Sequence, residues 1–125
     1  MKKISVIFIA LLLMAACTAK PEKIEKVFYP SGKLLAEIPI VKGLKHGKLI
    51  WYYESGDIKI TQEVKKGSAN GMIVFYYEGN VKEHEGVIKK GKRVGEFKYY
   101  DKQGKLIKSE YYRNGSVVRQ KTYTP

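Results

Sequence analysis

The sequence predicts an all-β protein, an antiparallel β-meander of about four 24-residue hairpin repeats forming one elongated, curled single sheet. Three observations carry that expectation. Glycines recur in register: Gly32, Gly56 and Gly104, with Asn80 in the same column, lie 24 apart, as do Gly43, Gly67, Gly91 and Gly115, and Gly47, Gly71 and Gly95. Aromatic residues keep the same period in two columns, Trp51, Phe75, Tyr99 and Tyr123, and Phe28, Tyr52, Tyr76 and Tyr100. Between the turn signals the residues are aromatic, β-branched and alternating, which is strand chemistry. Fixed-period self-similarity marks units that cannot bury their apolar faces alone and must stack.

The start of the chain reads differently. Residues 1–16 carry a basic pair, Lys2 and Lys3, then an apolar run from Ile4 to Ala16 that is short for a bilayer span. The run ends in Met14-Ala15-Ala16-Cys17, which resembles a bacterial lipobox, with Met14 where Leu is commonest. The resemblance implies a lipoprotein signal peptide over 1–16, lipidation of Cys17, and a protein held in the cell envelope on a membrane. Thr18, where an Asp would imply inner-membrane retention, points to the outer membrane if one is present. An uncleaved anchor or a plain signal peptide is the alternative. Cys17 is the only cysteine, so no disulfide within the chain is available. Loss of Lys2 and Lys3 would lower the formal net charge of +12 by two. Residues 17–26, polar and containing Pro21, are expected to be a lipid-anchored tether, and 27–125 the repeat domain.

Within the repeat domain each unit reads as strand, loop, strand, turn. Leu34, Ala36, Ile38 and Ile40 are expected on one face of a half-buried strand, with Lys33, Glu37 and Pro39 on the other. Lys48 to Tyr53, Met72 to Tyr77 and Glu96 to Tyr100 are the second strands. Ser55-Gly56, Gly79-Asn80 and Gln103-Gly104 are tight turns, and Asn80 suits one because Asn tolerates the left-handed region. The glycine pairs Gly43/Gly47, Gly67/Gly71 and Gly91/Gly95 are expected to bracket compact loops and to be structural. No segment after residue 26 has a helical period.

Tyr76-Tyr77-Glu78-Gly79, followed by Lys90-Gly91-Lys92-Arg93-Val94-Gly95-Glu96-Phe97-Lys98-Tyr99-Tyr100, resembles the bacterial variant of the MORN repeat. The resemblance runs from about Phe28 to Tyr123 and is imperfect in the loop Ser68-Ala69-Asn70 and at Arg119, where Gly belongs. It implies an antiparallel hairpin array. Proteins with this variant are often described as antitoxin components, which implies a partner class but no chemistry.

Leu49, Trp51, Ile73, Phe75, Phe97 and Tyr99 are expected to face the core, and Tyr52, Tyr76 and Tyr100 to face outward. That outward column is either ordinary pleat chemistry or a row of aromatic contacts for a partner. Lys65, Lys66, Lys89, Lys90, Lys92 and Arg93, with Lys42, Lys45 and Arg113, are expected along one edge of the meander. They are either solvated charge that discourages aggregation or a ridge that binds an anion. A protein partner, of which an antitoxin- or immunity-like role is one version, is the first expectation, and an anionic envelope glycan or phospholipid the second. Nucleic acid is disfavoured by compartment. His46 and His84 share no repeat position, and Glu83-His84-Glu85 alternates across a strand, so no metal site is expected. No nucleophile elbow, triad or phosphate loop before a helix is present, so neither a cofactor nor catalysis is expected.

Overall fold

A computed structural model describes residues 20–124, and the expectations for residues 1–16 and Cys17 lie outside them. The described residues contain no helix. They form β1 (Lys23–Phe28), β2 (Leu34–Val41), β3 (Leu44–Lys45), β4 (Gly47–Tyr52), β5 (Ile58–Lys65), β6 (Ser68–Tyr76), β7 (Lys82–Lys89), β8 (Lys92–Tyr100), β9 (Leu106–Arg113) and β10 (Ser116–Thr122). All pair antiparallel in one open sheet, in chain order, with β3 a short lead-in to β4 that also pairs with β2. Lys23–Lys26, expected in the tether, belong instead to β1 and pair with Glu37 to Ile40.

The two kinds of connection lie on opposite rims of the sheet. On one rim, Lys42-Gly43, Lys66-Gly67, Lys90-Gly91 and Asn114-Gly115 are two-residue turns in which both residues have positive φ. This geometry matches the right-handed twist of the flanking strands. The segments expected as Gly-x-x-x-Gly loops are therefore not loops. Residues following Gly43, Gly67 and Gly91 already pair as strand. On the other rim Tyr53, Tyr77 and Asp101 open longer turns, with the Tyr53 amide donating to the Asp57 carbonyl at 2.9 Å and equivalents at Tyr77 and Asp101. Asn80 has φ of 63°, the left-handed conformation expected of it.

A one-residue slip recurs beside the aromatic columns. Trp51 pairs with Ile60 but Tyr52 with Ile58, and the same slip falls at Phe75/Tyr76 and Tyr99/Tyr100. Such bulges increase local twist. At the first of them Val27 pairs with Ala36 but Phe28 with Leu34, so Leu34 joins the Phe28 column and not the face of Ala36, as simple alternation had suggested.

Most of the core lies on one face. Ala36, Leu49, Val64, Ile88 and Phe97 are buried there, Phe97 completely. Gly86 explains the last of these. It pairs with Ile73, and a Cβ on it would come within 2.4 Å of the Phe97 ring, which lies over the bare backbone. Phe75 is only half-buried, stacked on His84 with centroids 4.0 Å apart, and His84 in turn stacks on Tyr99 at 5.1 Å. The opposite face is not simply outside, because Val74 is buried and Tyr76 half-buried. A single layer has no second sheet to cover either face, so long side chains must lean over short ones on both.

Candidate functional site

The rim of two-residue turns gathers positive charge. Each turn is forced to the same place in the repeat by the same hairpin geometry, so Lys42, Lys66 and Lys90 fall in one column and Lys65, Lys89 and Arg113 in another. Lys65, Lys66, Lys89, Lys90 and Lys92 are exposed, and none makes an ion pair among the described residues. Adjacent turns are tied together: the Gly67 amide donates to the Lys45 carbonyl at 2.8 Å and the Gly91 amide to the Ala69 carbonyl at 3.2 Å. The opposite rim carries Glu54, Asp57, Glu78 and Asp101 in its turns together with Lys33, Lys102 and Lys105, so its charges nearly balance and unbalanced positive charge gathers on the first rim.

Two hollows open on the basic rim. One, of about 550 Å³, is lined by Asn70, Lys89, Lys90, Lys92, Val94 and Asn114. The other, of about 290 Å³, is lined by Val41, Lys42, Leu44, His46 and Lys66, and Leu44 is half exposed there. The His46 Nδ1 accepts from the Lys66 amide at 3.2 Å, which holds the second turn against the first.

Arg93 does not join this rim. Its guanidinium turns back over Phe97, 4.6 Å from the ring centroid, and donates to the hydroxyls of Tyr99 and Tyr112, each at 3.1 Å. Both hydroxyls donate on to Glu110, at 2.7 and 2.8 Å, and Lys108 donates to the other carboxylate oxygen at 2.8 Å. The bonds from Lys108 and then Tyr99 hold the Glu110 carboxyl down to about 2, while burial and the bond to Glu110 push Tyr99 well above its ordinary value. Every polar group of this network has a partner, so it braces the end of the sheet.

Tyr52, Tyr76 and Tyr100 share the face opposite the main core, as expected, but lie at the far ends of β4, β6 and β8 from the basic rim. β6 alone has nine residues, so the two features stand roughly 25–30 Å apart. The Tyr52 hydroxyl donates to Glu37 and that of Tyr100 to Glu85, both at 2.8 Å. Burial first, and Glu85 second, push Tyr100 up to about 12. Tyr76 has Thr61 in place of the repeat-equivalent carboxylate and makes no such bond among the described residues. Beside this column runs one that the sequence reading passed over. The hydroxyls of Tyr29, Tyr53 and Tyr77 donate to the carbonyls of Tyr52, Tyr76 and Tyr100, at 2.7, 2.7 and 3.0 Å. Each ties the turn of one repeat to the strand end of the next. The 24-residue spacing of these tyrosines, broken at Asp101, was the available signal.

Among the described residues no group of His, Cys, Asp and Glu converges to hold a metal ion. Glu83 and His84 touch at 3.2 Å, but burial lowers the imidazole's proton affinity, and its ring is sandwiched between Phe75 and Tyr99.

No match is found among curated proteins. The family profile described as the MORN repeat variant matches residues 21–42, 45–66 and 93–114. Successive matches start in phase with the 24-residue period, and the intervening unit, whose turn carries Gly79-Asn80, folds with the same strand pairing. These matches cover more than half of the chain, and together with the open antiparallel sheet they place it in the MORN repeat variant family.

Proposed function

We propose that this chain is a lipid-anchored docking module of the cell envelope. Cys17 carries the lipid, the residues before β1 hold the sheet off the membrane, and the basic rim receives an acidic surface of a protein partner. Repeats of this family are often involved in membrane or protein binding. The observation that carries the reading is the cluster of exposed lysines at Lys65, Lys66, Lys89, Lys90 and Lys92 along one rim, none of them in an ion pair among the described residues. Unpaired like charges at close spacing are stabilised by an anion and steer its approach. Tyr76, whose hydroxyl makes no hydrogen bond among the described residues, is the member of the tyrosine column most available to a partner large enough to span a strand's length. An antitoxin- or immunity-like role is one form such docking takes.

The test captures partners from detergent-solubilised envelope with the full chain and with Lys89→Glu/Lys90→Glu. A protein should be retained by the wild type, released by salt and lost from the variant, with melting unchanged. Retention of glycan or phospholipid alone supports the alternative ligand class. Capture that ignores the charge reversal sinks the reading. Mass spectrometry of the membrane fraction checks the anchor, which requires a diacylglyceryl-modified N-terminal Cys17. A soluble product unaffected by Cys17→Ala would refute it.

A further inference from the structure

The spacing of the basic rim selects among acidic partners. Lys42, Lys66 and Lys90 occupy identical positions in successive hairpins, each with φ between 47° and 49°. Two strands separate neighbours, so they stand about 9.6 Å apart. An α-helix brings the same face round every seven residues, about 10.5 Å along its axis. An extended peptide also reaches that distance, in about three residues, but alternation then puts successive acids on opposite sides. Between Lys42 and Lys66 lies the apolar hollow of Val41, Leu44 and His46. On a helix, a residue three or four beyond an acid shares its face and sits about 4.5–6 Å along, near the midpoint between the lysines. In the next interval Ser68 and Asn70 replace Leu44 and His46, so the second midpoint is polar.

From this geometry we infer that the basic rim docks an α-helix that carries acidic residues seven apart, with an apolar side chain midway between the first two entering the Leu44 hollow. The inference rests on the protein-docking reading above. Glutamates of the helix meet Lys42, Lys66 and Lys90 in turn. The sheet's twist rotates successive hairpins by roughly 40°, which limits a straight helix to about three of them. A polyanionic glycan or a phosphorylated surface would satisfy the lysines but has nothing to place in the hollow.

Asn114 supplies a clean substitution, since it holds the same turn position with φ of 51° and no charge. Lys66→Asn should therefore remove the charge and keep the turn, and Leu44→Ser alters an exposed side chain. The probes are synthetic peptides of about 15 residues with three glutamates at seven-residue spacing and a leucine between the first two. Controls keep the composition with glutamates five apart, or break the helix with a central proline. Binding to the full chain in detergent is followed by fluorescence anisotropy at physiological salt. The matched peptide should bind at least about tenfold more tightly than either control. Lys66→Asn should weaken it, and Leu44→Ser should abolish the advantage of leucine over serine in the peptide, both without a change in melting. Equal binding of all three peptides, or indifference to Leu44→Ser, overturns the inference and leaves a simple polyelectrolyte surface. If the peptides fail while the envelope partner still depends on Lys89 and Lys90, only the helix is wrong. If that dependence is also missing, the docking reading fails with it.

Discussion

Phe97 and Gly86 show how one residue pair sets local stability. The Phe97 ring is fully buried because Gly86, on the neighbouring strand, leaves the space beneath it empty. Phe75, one repeat earlier in the chain but on the adjacent aromatic row, is half-exposed against His84. Phe97→Ala should therefore cost about 3–5 kcal/mol, the range for a large-to-small change in a closed core. Phe75→Ala should cost clearly less, and comparison of denaturant midpoints checks the order. The carboxylate of Glu110 has a pH signature. Its folded value of about 2 lies below its ordinary value near 4.5, chiefly through the hydrogen bond from Lys108. Its contribution to stability is complete above the ordinary value and disappears as pH falls through about 2. The slope of unfolding free energy against pH between those limits should flatten in Glu110→Gln.

At the scale of the element, the hairpins are held by two devices with the same period. Consecutive positive-φ residues close each hairpin on the basic rim, and a tyrosine hydroxyl staples the turns opened by Tyr29, Tyr53 and Tyr77 on the other rim to the next repeat. The staple donates to a carbonyl next to the register slip, where the ladder is interrupted. Tyr53→Phe and Tyr77→Phe should each lower stability by about 1 kcal/mol, the ordinary net value of a hydrogen bond. The two sites tie different pairs of repeats, so the double variant should be close to additive in chemical denaturation. Strong non-additivity would mean that the staples act through one shared bulge geometry.

The whole molecule is a one-dimensional stack whose ends are its weak points. β1 and β10 are exposed along their entire length and pair on one side only, while β5 to β8 each pair on both sides. Charged residues on the end strands, among them Lys23, Glu25, Arg119 and Lys121, discourage pairing with another sheet. In an array whose repeats touch only neighbours, opening starts at the ends. Hydrogen exchange should therefore release β1 and β10 first and β6 and β7 last. Uniform protection across the sheet would mean that something covers the ends.

The repeat, the all-β class, the order of strands and the two rims were all legible in the sequence, because they follow from period and alternation along the chain. The lysine rim was legible for the same reason: identical turns in a periodic array must fall in line. What the period could not reveal is where it is broken. The bulges move Leu34 into the Phe28 column, since one extra residue reverses alternation without altering composition. Gly86 stands outside every glycine column, and its purpose appears only when Phe97 is brought over it from the next strand. Arg93 looks like its lysine neighbours in one dimension. In three it stands on the core face of β8, where two ring faces and two hydroxyls outweigh solvation at the rim. Local pattern determined the architecture of this protein, and contacts between repeats decided which side chains remain free to meet a partner.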